Sequence, residues 1–80
     1  MEDILLKTRE ALRASFGIEP HSVTLETGPA EVPGWDSIGH LTLATNLEQA
    51  FGISFDVDEL MEMENVQAVV RIVQRKLKPA

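Results

Sequence analysis

Gly34-Trp35-Asp36-Ser37-Ile38, followed by a helical run that closes at Phe51-Gly52-Ile53, decides how this chain is read. Asp36 stands where a helix N-cap belongs, and Ser37 is then the first residue inside. A hydroxyl at that position points off the helix end, toward backbone N–H groups that have no partner in the first turn. Those groups and the helix dipole favour a negative group such as a phosphate. Taken alone, Asp-Ser is also an ordinary capping pair. The helix predicted here runs from Ser37 to Phe51. Leu43, Leu47, Ala50 and Phe51 fall on one stripe and make its core face. At about 100° per residue, Ile38 and Leu41 project from nearly the opposite side, flanking the direction of Ser37. Two branched aliphatics beside an exposed hydroxyl form a candidate contact patch, although single apolar residues on a surface are common.

Upstream, Asp3 is a candidate cap for a first helix in which Ile4, Leu5, Leu12 and Phe16 recur near the helical period. Phe16-Gly17-Ile18 closes it in the same way that Phe51-Gly52-Ile53 closes the second, with glycine in the left-handed position. Residues 17 to 35 have no sustained period, and Gly28, Pro29, Pro33 and Gly34 break any long element. Val23, Leu25 and Val32 are placed to pin this loop on a core. A loop this long in a small domain is more often packed or functional than idle.

Downstream, Asp56 and Glu59 form a capping box, with Phe55 and Leu60 as its hydrophobic staple. That short helix is expected to end by Met61 or Met63. The acids Asp56, Asp58, Glu59, Glu62 and Glu64 gather here, without the turn glycine or spacing of a calcium loop. They read as a solvated face. Asn65 caps a fourth helix whose stripe is Val66, Val69, Val70, Val73 and Leu77. Arg71, Arg75, Lys76 and Lys78 fill its other face, and Pro79 follows its end. The fold class expected is all-α: a small bundle of three main helices plus one short helix, with a long first loop, forming a single domain over 1–80.

Composition sets limits on function. The chain has 80 residues, 44% hydrophobic and 25% charged, with net charge −6 and no cysteine. A domain of this size buries roughly 60–65% of its unfolded surface, enough for one modest core and no deep cleft. The acidic balance argues against nucleic acid and anionic membrane as partners and for basic protein surfaces. No stretch resembles a membrane span or a signal peptide, so a cytoplasmic setting is expected. Without cysteine there is no disulfide, thiolate zinc site or cysteine nucleophile. His21 and His40 lack partners at metal-ligand spacing, so no metal site is expected. His40 follows Ser37 by three residues, which makes a Ser–His dyad conceivable, but no glycine-rich elbow precedes the serine. Nothing in the chain is poised to do chemistry. A reactive group would have to be added after translation.

Those residues resemble the acyl carrier protein family. The resemblance rests on Gly34-Trp35-Asp36-Ser37-Ile38, on Leu41, Leu43 and Leu47 behind it, and on Phe51-Gly52-Ile53. It extends to the length, the acidity, the long first loop, the short third helix and the Asn65-Val66 start. It implies a free-standing, monomeric, non-enzymatic carrier. Ser37 would hold 4′-phosphopantetheine as a phosphodiester, attached by a phosphopantetheinyl transferase from coenzyme A with magnesium, making the chain a phosphoprotein. Cargo would ride as a thioester, acyl or aminoacyl, placed by a loading ligase and passed to a downstream transferase. Asp36 matches the family's aspartate before the serine, and is expected to cap the helix and help place the magnesium or the transferase.

The chain also departs from the fatty-acid type. Glu48 is the sole acid between Ser37 and Phe51; Gly39, Thr42 and Asn46 stand at positions where acids or other residues often occur. Partners outside primary fatty-acid synthesis are therefore expected. Ile38 and Leu41 would carry the contact, with Glu48 and the third-helix acids as a weaker electrostatic rim. Trp35 is read two ways, as anchor of the loop and as a contact for the arm and its partners. Leu43, Leu47, Phe51, Met61 and Val66 are candidates to line a cargo cavity, with a small or polar cargo expected. The competing reading, from a different class, is a non-catalytic helical adaptor that binds a protein through Ile38 and Leu41.

Overall fold

The computed structural model describes residues 2–77, and within them the chain is all-helical. Helix α1 is Glu2–Phe16, α2 is Ser37–Phe51, α3 is Val57–Glu62 and α4 is Val66–Leu77. A 3₁₀ turn at Pro20–Ser22 lies in the long first loop. Asp3 is inside α1 rather than capping it, so the helix starts earlier than the sequence reading had it. Lys78 and Pro79 lie outside the described residues.

The core is one cluster drawn from α1, α2, α4 and the loop. Leu12, Leu43, Leu47, Val66, Val69, Val70 and Val73 are almost fully buried. Each such side chain contributes roughly 1.5–3 kcal/mol relative to exposure. Two stripe assignments are corrected. On α2, Ala44 is buried and Ala50 exposed. On α4, Leu77 is 44% exposed, while Ile72 takes a core place. Both residues sit in the last turn of their helix.

Both predicted glycine closures are present. Gly17 and Gly52 have φ of 69° and 66°, and their N–H groups donate to Arg13 O and Glu48 O at 2.7 and 2.8 Å. This is the left-handed cap that lets a helix stop without leaving its last carbonyls orphaned.

The long loop is packed rather than idle. Val23 and Val32 are buried, and Leu25 rests against the core. Thr27 O and Leu25 O accept hydrogen bonds from the N–H groups of Val66 and Gln67 at 2.8 and 2.9 Å. Asn65 Oδ1 accepts from the Ala68 N–H at 2.8 Å. Loop and cap together therefore satisfy the donors that open α4.

Helix α3 has six residues, too few to be stable without tertiary support. Its Asp56–Glu59 capping box is present on both sides. Lys76 of α4 donates to both oxygens of Glu59, at 2.7 and 3.0 Å. This donation, together with the Asp56 N–H, holds the Glu59 carboxyl below its ordinary value.

Candidate functional site

The site is built at the first turn of α2. Gly34, at φ 93°, turns the chain so that the Trp35 N–H donates to Val32 O and the Asp36 N–H to Gly34 O. Asp36 is then extended (φ −114°, ψ −166°) and its carboxylate accepts from the Gly39 N–H at 2.8 Å. The Asp36 carbonyl accepts from the His40 N–H at 2.7 Å. The N-cap expected of Asp36 is thus in place. Ser37 follows it, exposed, and its hydroxyl has no hydrogen-bond partner among the described residues. The N–H groups of Ser37 and Ile38 are likewise without a protein acceptor there. Two free donors and a positive dipole end therefore flank an accessible alcohol.

Beside Ser37 lies a groove of about 400 Å³ lined by Pro29, Trp35, Asp36, His40, Leu60, Met61 and Met63. It runs between the loop, α2 and α3. Ile38 and Leu41 stand clear of the core on the same helix, 78% and 58% exposed.

The fold places three of the expected residues more closely. Trp35 is 4% exposed and belongs to the core, leaving only an edge of it to line the groove. Its indole lies between Phe16 and His40, which makes it the anchor of the loop. Glu48 is half-buried and its carboxylate accepts from the Phe55 N–H at 2.8 Å, so it also ties the α2–α3 connection. Met61 is 76% exposed and cannot line an interior cavity with Leu43, Leu47 and Val66; Met63 is the buried methionine.

His40 is half-buried and both of its ring nitrogens are bonded. Its Nδ1 accepts from Trp35 Nε1–H at 2.8 Å, and its Nε2–H donates to Leu60 O at 2.8 Å. Because an indole N–H can only donate, Nδ1 must accept, and the proton sits on Nε2. Both ring nitrogens are engaged, so neither is free to act as a base for Ser37. The Ser–His dyad is ruled out by those two bonds. This chain spans positions 35, 40 and 60. The sequence signal was a tryptophan five residues before a histidine at the same helix start.

The family model described as the phosphopantetheine attachment site matches residues 7–73. This chain belongs to the phosphopantetheine-attachment family. Among relatives, the non-reducing polyketide synthase pigA of Monascus ruber is 36% identical over 78 residues, covering 98% of this chain and 3% of that protein. The non-reducing polyketide synthase epaA of Aspergillus niger is 37% identical over 73 residues, again 91% of this chain and 3% of that one. An acyl carrier protein of Coprothermobacter proteolyticus is 28% identical over 76 residues, covering 95% of this chain and 93% of that one. The chain thus spans about 3% of the length of the synthases it matches.

As a phosphopantetheine-attachment domain it is a carrier protein, and 4′-phosphopantetheine is its covalent cofactor. The residues at the α2 start fit that group: an unbonded hydroxyl to esterify, two free N–H donors for phosphodiester oxygens, and a partly apolar groove beside them. Among the described residues no helix is long and apolar enough to cross a membrane.

Proposed function

We propose that Ser37 is the attachment residue and that the chain carries an acyl group on the arm, outside primary fatty-acid synthesis. The single observation that carries this is the exposed, unpartnered Ser37 hydroxyl at the capped N-terminus of α2, within the family match. When attached, the arm supplies the terminal thiol that holds cargo as a thioester. The chain's own residues do the rest. Asp36 fixes the helix start, the Ser37 and Ile38 N–H groups face the phosphodiester, and the tether keeps cargo at high local concentration near partner enzymes. No side chain of the site performs chemistry on the cargo.

The partners are a phosphopantetheinyl transferase, a loading enzyme and a downstream acyltransferase, met through Ile38 and Leu41. A polyketide-type acyl cargo is favoured over an aminoacyl one, because the relatives at 36% and 37% identity are named polyketide synthases. The test is incubation with coenzyme A, magnesium and a broad-specificity phosphopantetheinyl transferase, followed by intact-mass measurement. Wild type should gain the arm and Ser37→Ala should not. Equal gain on both, or none on wild type, would leave the adaptor reading in its place.

A further inference from the structure

We propose that His40 is a positioning residue for the loading of Ser37, acting through Trp35 and Leu60 and not on the reacting atoms. This rests on Ser37 being the attachment residue.

The groove beside Ser37 has two walls, and His40 holds both. On the loop side it accepts from Trp35 Nε1–H at 2.8 Å. The two rings are nearly parallel, 12° apart with centroids separated by 6.2 Å, the arrangement of an in-plane hydrogen bond. The Phe16 ring lies against the indole, centroids 6.0 Å apart and planes 22° from parallel. Trp35 cannot rotate without breaking the bond or leaving the core, and Asp36 is its neighbour in the chain. The cap that sets the direction of Ser37 is therefore fixed from behind by the indole.

On the α3 side, His40 Nε2–H donates to Leu60 O at 2.8 Å. That carbonyl lies near the end of a six-residue helix and also accepts the Met63 N–H, at a long 3.4 Å, so the imidazole is its shorter bond. Leu60, Met61 and Met63 form the far wall of the groove. One imidazole thus sets the spacing of the two surfaces between which Ser37 is presented. An aliphatic residue in its place would leave the buried indole N–H without its acceptor and remove the direct tie from the first turn of α2 to α3, whose other ties, Lys76 to Glu59 and Glu48 to Phe55, lie away from the groove.

The experiment uses the whole chain with coenzyme A, magnesium and a broad-specificity phosphopantetheinyl transferase. Initial rates are measured against carrier concentration for wild type, His40→Leu, His40→Gln and Trp35→Phe. Circular dichroism shows that each is folded at the assay temperature. His40→Leu should lose about tenfold in kcat/KM, most of it in kcat, because the Ile38 and Leu41 face is untouched. His40→Gln can accept and donate as the imidazole does, and should recover to within about threefold of wild type. Trp35→Phe keeps a ring but loses the N–H. Trp35 is 4% exposed, so a slowing of about threefold or more there points to the pin.

Equal rates for wild type and His40→Leu would overturn the proposal. So would a slow His40→Leu beside a Trp35→Phe at full rate, because His40 would then act by direct contact with the transferase. Should His40→Leu not fold, His40→Gln and Trp35→Phe decide alone: a Trp35→Phe at full rate overturns the proposal, and slowing there with near-normal His40→Gln supports it. Failure of wild type itself to load would be a failure of the Ser37 assignment, read separately from these ratios.

Discussion

A Cβ on Gly39 would overlap the carbonyl oxygen of Gly34 and press on Phe16. The loop therefore touches α2 at the one position where only a glycine admits it. This close approach seats Trp35 in the core and brings Asp36 over the helix end. Ala is the better helix former by about 1 kcal/mol, so propensity alone favours Gly39→Ala. The overlap with backbone should reverse that sign. The variant is expected to be net destabilised by about 1–3 kcal/mol. At roughly 4–8 °C per kcal/mol for a domain of this size, a thermal melt resolves it. An unchanged or raised Tm would show that the loop yields without cost.

Asp36 has two separable duties. Its carboxylate caps the Gly39 N–H, a contact worth about 1 kcal/mol when replaced by Ala. Asparagine also caps well, so Asp36→Asn should keep most of the stability that Asp36→Ala loses. If the charge also helps place magnesium or the transferase, Asp36→Asn should load much more slowly while melting nearly as wild type does. Parallel loss of both properties in Asp36→Asn would mean that the carboxylate acts through the fold alone.

Much of this architecture was legible because its boundaries are written in local chemistry. Asp36 and Gly52 bound α2 as expected, and the Asp56–Glu59 box opens α3. Those signals act within four residues and need no knowledge of the rest of the chain. What was not legible depends on contacts distant in sequence. Ala50 and Leu77 continue their stripes on paper but are exposed in the fold. Trp35 and His40 each had a plausible separate reading; their bond to one another and to Leu60 exists only once α3 has folded back. The 3₁₀ turn at Pro20–Ser22 is too short to show a period, and its only signal is Pro20. At the site, the accessible hydroxyl was readable from capping rules, whereas the groove was not.

Ile38 and Leu41 are exposed and outside the core. Ile38→Glu and Leu41→Glu should each shift stability by no more than about 0.5 kcal/mol. Loading by partner enzymes should nevertheless fall by on the order of tenfold or more, as expected when an apolar anchor is replaced by a charge. Normal loading by both charge variants would move the partner surface elsewhere.

Glu59 makes acid sensitivity specific. Its side chain is 13% exposed, and donation from Lys76, then from the Asp56 N–H, lowers its pKa from the ordinary 4.5. A carboxyl depressed in the folded state adds stability that is fully present above its unfolded value. That stability is lost as pH falls through the folded value. Denaturant melts from pH 7 down to about 3 should therefore show wild type losing stability more steeply below about 4.5 than Glu59→Gln does. Identical slopes for the two proteins would remove this pair from the acid response.

The most direct measurement is the intact mass of the protein purified from its own host, with fragment mapping of any added group. The account predicts a phosphopantetheine adduct on the peptide containing Ser37, with or without cargo on its thiol, and no adduct in Ser37→Ala. An arm mapped to another residue, or an adduct that persists in Ser37→Ala, would contradict it.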